Sequence, residues 1–237
     1  MSSHKACWWI GSLGFALTIA GFFHWKRNIW FFRDPPRRAA GDPGVIVAPC
    51  DGRVIYIQEI KDSQIVSQKL STQISIEEIT KSPDAPPSGV LIGIYMSPYD
   101  VHFNYAPISG RVRKIVHTQA KINLPMVDLW EYIQFVWFRR AVNLLGHAFH
   151  LLNERNTIVI EGPCKVAMVE IADKVVNKID CYVHEGEELR QGQKVSFIKR
   201  GSQVDLILWG TDYEILAEVG QHVMGAIAPL ARILSPR

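Results

Sequence analysis

The sequence predicts a mainly β protein of the α+β class, with a sandwich or barrel-like β core, a helical segment near residues 125–152 and an N-terminal membrane helix. Three observations predict it. Short apolar, often β-branched runs separated by Gly, Pro and Asp recur from Val45 to Leu208. One window, from Pro125 to Asn153, repeats its apolar residues near helical spacing instead. Residues 7–23 form an uncharged, largely apolar stretch of seventeen. With 237 residues, 48% hydrophobic and 21% charged, the chain can build one substantial core or two small ones, and its composition excludes wholesale disorder.

The apolar stretch is at the short end of what a bilayer-spanning helix requires. Lys26, Arg27, Arg33, Arg37 and Arg38 follow it, against only Lys5 and the amino terminus before it. The positive-inside rule therefore expects attachment to the cell membrane with the globular part on the cytoplasmic side. An interfacial hairpin is the other reading of this stretch. A cleaved signal peptide fits less well, because the positive cluster is on the wrong side and no small-residue cleavage site follows. Residues 1–28 are thus an expected anchor, 29–44 a basic Pro/Gly linker and 45–237 the main domain. The formal charge of +3 is too small to expect a nucleic-acid partner, while the basic cluster suits anionic lipid headgroups. Cys7, Cys50, Cys164 and Cys181 lack CxxC spacing, so they read as reduced thiols and no metal site is expected.

Val45–Ala48 and Arg53–Ile57 read as strands flanking Pro49-Cys50-Asp51-Gly52. Lys61–Ser88 is polar and reads as an excursion from the core. Val90–Met96 is a buried strand ending in the turn Ser97-Pro98-Tyr99-Asp100. Val127, Trp130, Ile133, Val136, Trp137, Val142, Leu144, Leu145 and Phe149 predict one or two helices. Packing against the sheet is their expected role; a second bilayer contact, through Trp130, Tyr132, Trp137, Phe138, Arg139 and Arg140, is the other. Strands follow at Thr157–Ile160, Val166–Ile171, Lys178–Val183, Val195–Ile198 and Val204–Leu208, with turns at Glu185-Gly186-Glu187 and Gln191-Gly192-Gln193.

The residues that can carry chemistry are weak signals one at a time. Gly201-Ser202, between two strand-like runs, is by itself a turn pair, and so is Asp51-Gly52. His102, after a Pro-containing turn, is by itself a hydrogen-bonded histidine. His117, His147, His150 and His184 have no comparable motif and read as structural. Together, Asp51, His102 and Ser202 supply a carboxylate, an imidazole and a hydroxyl, the residue types of an acyl-transfer site.

The segments Pro49–Val54, Tyr95–Gly110, Asn153–Asn156 and Lys199–Asp205 resemble, in order, the phosphatidylserine decarboxylase family, in particular its shorter bacterial and archaeal branch. Trp30-Phe31-Phe32-Arg33-Asp34-Pro35 and the Glu185-Gly186-to-Gly192 hairpin extend the likeness, which covers residues 29 to 210 or so. The resemblance implies a proenzyme cut between Gly201 and Ser202, a covalent pyruvoyl group made from Ser202, and conversion of phosphatidylserine to phosphatidylethanolamine. Ser202 Oγ would attack the Gly201 carbonyl, with His102 as base and Asp51 holding the imidazole. An N-to-O acyl shift and β-elimination would then release residues 1–201 and leave dehydroalanine, which hydrolyses to pyruvoyl. The ketone is an electron sink for decarboxylation, and His102 is the candidate general acid that returns a proton. The implied partners are a serine phospholipid and the membrane, the fragments 1–201 and 202–237 staying associated, with a homo-oligomer as a further expectation.

The chain departs from the family pattern in four places. Tyr105 stands where some members carry a second histidine, Arg200 where an aromatic residue often precedes the Gly-Ser pair, and Cys50 where a small residue precedes Asp51. The segment around residues 125–150 has no counterpart in the pattern. Two other functions compete: an uncut, catalytically silent lipid-binding relative, and a biotinyl or lipoyl carrier module. The carrier reading fails because no Lys lies between Met residues at a hairpin tip.

Overall fold

The computed structural model describes residues 15–234 apart from 16, 27, 40, 68–71, 146, 175–178 and 200–201. Two compact units divide the chain, Met1–Pro35 and Pro36–Arg237. In the first, residues 17–26 are helical and Trp30–Phe32 form one turn of 3-10 helix. Among the described residues no helix is long and apolar enough to cross a membrane. Residues 1–14 of the expected anchor lie outside them.

The second unit is mainly β. Its strands are β1 (Val45–Val47), β2 (Gly52–Lys61), β3 (Gln64–Ser67), β4 (Thr72–Ser75), β5 (Ser88–Met96), β6 (Phe103–Tyr105), β7 (Gly110–Thr118) and β8 (Arg155–Glu161). They continue with β9 (Lys165–Ala172), β10 (Ile179–Cys181), β11 (Glu188–Leu189), β12 (Lys194–Ile198), β13 (Ser202–Trp209), β14 (Tyr213–Ile215), β15 (His222–Val223) and β16 (Pro229–Ile233). The short helices are α1 (Ile76–Thr80), α2 (Leu129–Val136) and α3 (Phe149–Leu152). The main sheet runs β11-β7-β8-β9-β13-β5-β2-β3-β4, with β15 added on β2, and curls into a half-barrel. Two three-stranded sheets, β1-β16-β14 and β10-β12-β6, complete the unit.

Strand β13 lies inside this sheet between β5 and β9, and Ser202 to Leu208 are all buried. Val204, Leu206 and Leu208 enter one core with Ile92, Ile94 and Met168; Ile207 enters the other with Leu91, Val169 and Phe149. A strand buried on both faces reads as a continuous apolar run, which is why this one was legible. The Lys61–Ser88 region differs from expectation: it is no excursion but the β3–β4 edge of the main sheet followed by α1. Its Ile65, Ile74, Ile76 and Ile79 are buried, but they are single apolar residues among polar ones, so the strand signal was diluted.

The helical segment near 125–152 is also shorter than its periodicity predicts. A capping box starts α2, with Asp128 Oδ1 accepting from the Glu131 amide at 2.7 Å and Glu131 Oε2 from the Asp128 amide at 3.0 Å. Beyond it Arg139 adopts a left-handed φ of 52°, and Leu144 and Leu145 reach the core from irregular chain. Apolar spacing marked what is buried there without requiring a helix to bury it.

Candidate active site

Strand register brings the candidate residues to one end of the main sheet. Strand β13 begins at Ser202, opposite Met96, the last residue of β5, and Ala172, the last of β9. Strand β2 begins at Gly52 with Arg53 opposite Tyr95, and β8 begins at Arg155 opposite Ile171. Asp51, the turn from Ser97 to His102, the Asn153–Asn156 segment and Ser202 are therefore neighbours at this end. Arg200 and Gly201, one side of the expected cleavage point, lie outside the described residues.

Ser202 is buried and its hydroxyl donates to Met96 Sδ at 3.0 Å. His102 is buried too, with Nδ1 3.0 Å from the Asp100 carbonyl. Its own carbonyl accepts from the Ile198 amide at 3.1 Å, which ties it to β12, the strand that leads towards Ser202. The sequence pairs Asp51 with His102, whereas the polar partners of Asp51 in the structure are Arg37 and Gly225. Arg37 grips the carboxylate in a two-pronged ion pair, Nη2 to Oδ2 at 2.7 Å and Nη1 to Oδ1, and the Gly225 amide donates to Oδ1 at 2.8 Å. Such a fork is the strongest geometry available to a carboxylate, and here it is shielded from water. Gly52 is needed for more than a turn: a Cβ there would lie 2.3 Å from the Tyr95 carbonyl oxygen, so only glycine lets β2 close on β5 beside Asp51.

Three further polar features were not found from the sequence. Arg37 was assigned to the linker, and only folding shows it on Asp51. Asp100 lies inside the Tyr95–Gly110 segment, but its partner His222 carries no local signal; the β15–β2 pairing delivers it, His222 opposite Arg53. His222 Nε2 is 2.8 Å from Asp100 Oδ1, while Asp100 Oδ2 accepts from the Ser97 amide and hydroxyl, each at 2.7 Å. The Asp100 hydrogen bond lifts the half-exposed imidazole above its ordinary value. Burial opposes the charge on Asp100, but His222 and Ser97 outweigh it and hold the carboxyl below its usual range.

Glu170 is the third. It lies on β9 opposite Val204, on the same face as Ser202, and is fully buried. Asn104 and Asn156 Nδ2 donate to its two oxygens, each at 2.9 Å, and the Ser196 hydroxyl donates to Oε1. Burial raises its pKa to about 7, against the pull of those donors. A charged residue inside the apolar run Val166–Ile171 was the available signal. On the opposite face of β13, His150 Nε2 is 2.6 Å from Asp205 Oδ2, and the Tyr56 hydroxyl donates to Asp205 Oδ1 at 2.6 Å. Burial and the Asp205 charge push the Tyr56 hydroxyl well above its ordinary pKa.

The arrangement offers a buried hydroxyl at the mouth of an interior strand, a buried imidazole and two carboxylates in fixed hydrogen bonds at one sheet end. The family model described as phosphatidylserine decarboxylase matches residues 26–228, a span that includes all of these groups. A phosphatidylserine decarboxylase proenzyme of Magnetococcus marinus is 28% identical over 228 residues, covering 95% of this chain and 84% of that protein. One of Carboxydothermus hydrogenoformans is 30% identical over 226 residues, covering 95% and 85%. A provisionally named archaetidylserine decarboxylase proenzyme of Methanothermobacter thermautotrophicus is 32% identical over 203 residues, covering 85% and 78%. Matches of that length run through β13 and every strand that frames Ser202, so the chain belongs to the phosphatidylserine decarboxylase family of carboxy-lyases.

Proposed function

We propose that the chain cuts itself between Gly201 and Ser202 and, carrying a pyruvoyl group made from Ser202, decarboxylates a serine phospholipid, with phosphatidylserine giving phosphatidylethanolamine. The observation that carries this reading is the place of Ser202: buried, first in an interior strand, and at the sheet end that also holds Asp51, His102 and Asp100. Family membership supports the decarboxylation, and the proenzyme names of the relatives support processing of those proteins.

The residues present fit a pyruvoyl group. Ser202 is fixed by pairing with both Met96 and Ala172, and its hydroxyl donates to the Met96 thioether, which carries no competing amine. The group's carbonyl supplies an electron sink for loss of carboxylate from an amine substrate. His102, whose Nδ1 lies against the Asp100 carbonyl, is the proposed group that moves a proton, at Nε2. Arg37 holds the Asp51 carboxylate in place through its two-pronged contact, and His222, its imidazole lifted above its ordinary value by the Asp100 hydrogen bond, sets a half-exposed group at the rim that suits an anionic headgroup when protonated. Residues 1–28 anchor the protein, residues 29–44 connect the anchor to the domain, and the domain lies on the cytoplasmic side of the cell membrane. The two fragments remain together, and a homo-oligomer is compatible with the fold.

Intact mass spectrometry tests processing directly. The purified protein is expected to give two masses, the smaller that of residues 202–237, thirty-six in all, with a blocked amino terminus. Ser202→Ala is expected to give one uncut chain. A wild-type chain found intact would favour the silent lipid-binding relative, and cleavage of Ser202→Ala at this bond would overturn the mechanism.

A further inference from the structure

The segment between β7 and β8 buries one side and leaves the other bare. On the buried side Phe135 stacks on Tyr95 with ring centroids 4.3 Å apart, one residue before Met96. The base of the segment is closed by Asn153, which accepts from the Leu124 amide at 2.7 Å and donates to the carbonyls of Leu124 and Ala172, each at 2.8 Å. Ala172 is the cross-strand neighbour of Ser202. The segment is therefore fastened to the end of the sheet that holds the candidate site.

Its other side exposes Leu129 and Trp137 by 78% each, Trp130 by 61% and Phe138 by 58%. Trp130 and Trp137 are seven residues apart, two helical turns, and the Trp130 and Phe138 rings lie 6.4 Å apart, so these side chains form one patch. Four large apolar residues so grouped exceed the scattered exposure normal for a protein surface. Arg139 and Arg140, both exposed, follow directly, while the acids Asp128 and Glu131 are turned to each other's amides in the capping box. Indole rings beside guanidinium groups suit the boundary between acyl chains and anionic headgroups, where the ring is half buried and the cation meets phosphate.

We propose that α2 and the turn after it are a membrane-docking surface that seats the site end of the sheet on an anionic phospholipid bilayer. Trp130, Trp137, Leu129 and Phe138 enter the interface, and Arg139 and Arg140 bind headgroup phosphates. This rests on the serine-phospholipid reading only in the choice of a bilayer as occupant. It assigns the segment a second role beside the packing that its apolar spacing predicts, and a membrane contact separate from residues 1–28.

The test reconstitutes the full chain in phosphatidylcholine vesicles, with and without phosphatidylglycerol, containing a phospholipid with a diazirine near the glycerol end of its acyl chain. After illumination, lipid adducts are mapped by mass spectrometry. Adducts are expected in the peptide spanning residues 126–140 and are expected to increase with phosphatidylglycerol. Trp137→Ser/Phe138→Ser alters exposed side chains, so an unchanged Tm is expected, with adducts in this peptide reduced about fivefold or more. Adducts in residues 1–32 serve as the attachment control and are expected to persist. Ser202→Ala is expected to give the wild-type adduct pattern, so failure of the decarboxylase reading would be seen separately in the mass measurement. Absence of adducts from 126–140 while 1–32 is labelled would overturn the proposal, as would finding that peptide crosslinked to a second copy of the chain instead of lipid.

Discussion

Glu170 shows how far a single side chain can be read from its surroundings. The carboxyl has three donors, yet burial dominates and its pKa rises to about 7 from 4.5. A folded-state pKa above the unfolded value means that the native protein holds this proton more tightly. The contribution of Glu170 to stability is then most favourable below about pH 4.5, is lost as pH rises to about 7, and is level above, a change on the order of 3 kcal/mol. Glu170→Gln is expected to remove that part of the slope and to raise stability at pH 8 relative to wild type. Denaturant titrations of both proteins at pH 5 and pH 8 measure it; equal pH dependence would show that Glu170 is ionised in both states. Residue by residue, the legible part of the site was what local sequence carries: Asp51-Gly52, His102 and Ser202 each sit in a motif. Arg37 and His222 were illegible because long-range pairing chooses their partners, and neither Arg37-Arg38 nor Gln221-His222 differs locally from ordinary surface chain.

Among the elements, α3 and β13 are joined by the buried Asp205–His150 pair, with Tyr56 from β2 and Gln203 completing the hydrogen bonds. Gln203 Nε2 donates to the Tyr56 hydroxyl at 2.6 Å and to Asp205 Oδ1 at 2.8 Å, so the carboxylate is held from three elements. Removing the imidazole leaves Asp205 Oδ2 buried without its partner, a loss that typically costs about 1–3 kcal/mol. His150→Ala is therefore expected to lower Tm markedly and to open the chain between Leu124 and Asn153 to limited proteolysis before the sheet unfolds. Cleavage spread evenly over the chain would argue that the segment and sheet unfold as one. Legibility at this scale followed burial. Strands covered on both faces, β5, β9 and β13, announced themselves as apolar runs. The β3–β4 hairpin and the two-residue strands β11 and β15 did not, since edge pairing places few demands on side chains. Of the helices α1, α2 and α3, the first and last are too short for any periodic signal, and α2 is the one of the three that carries a capping box.

In the whole molecule, a cut before Ser202 would fall at the start of an interior strand, and this shapes what processing can do. Residues 202–237 supply β13 between β5 and β9, β15 on β2, and β16 between β1 and β14. The small fragment is thus woven into two sheets, including the main one. Val204, Leu206, Ile207 and Leu208 are fully buried, and these four side chains by themselves contribute roughly 1.5–3 kcal/mol each, or about 6–12 kcal/mol in total. Val223, Leu230 and Ala231 add to this, as do the backbone ladders on both edges of β13. The total is set against the translational and rotational freedom that separate chains would regain, about 4–15 kcal/mol. Dissociation would also expose the inward edges of β5 and β9, so separation requires the sheet itself to open. The fragments are expected to elute together in native gel filtration and to separate only in denaturant at concentrations that unfold the sheet. A small fragment that washed away under native conditions would mean that β13 is released on cleavage. The same topology predicts order in time: Ser202 meets Met96 and Ala172 only after β5, β9 and β13 have paired. Precursor held in denaturant is therefore expected to stay intact, with cleavage beginning on refolding, whereas cutting in the unfolded state would show that the sheet end takes no part in the reaction.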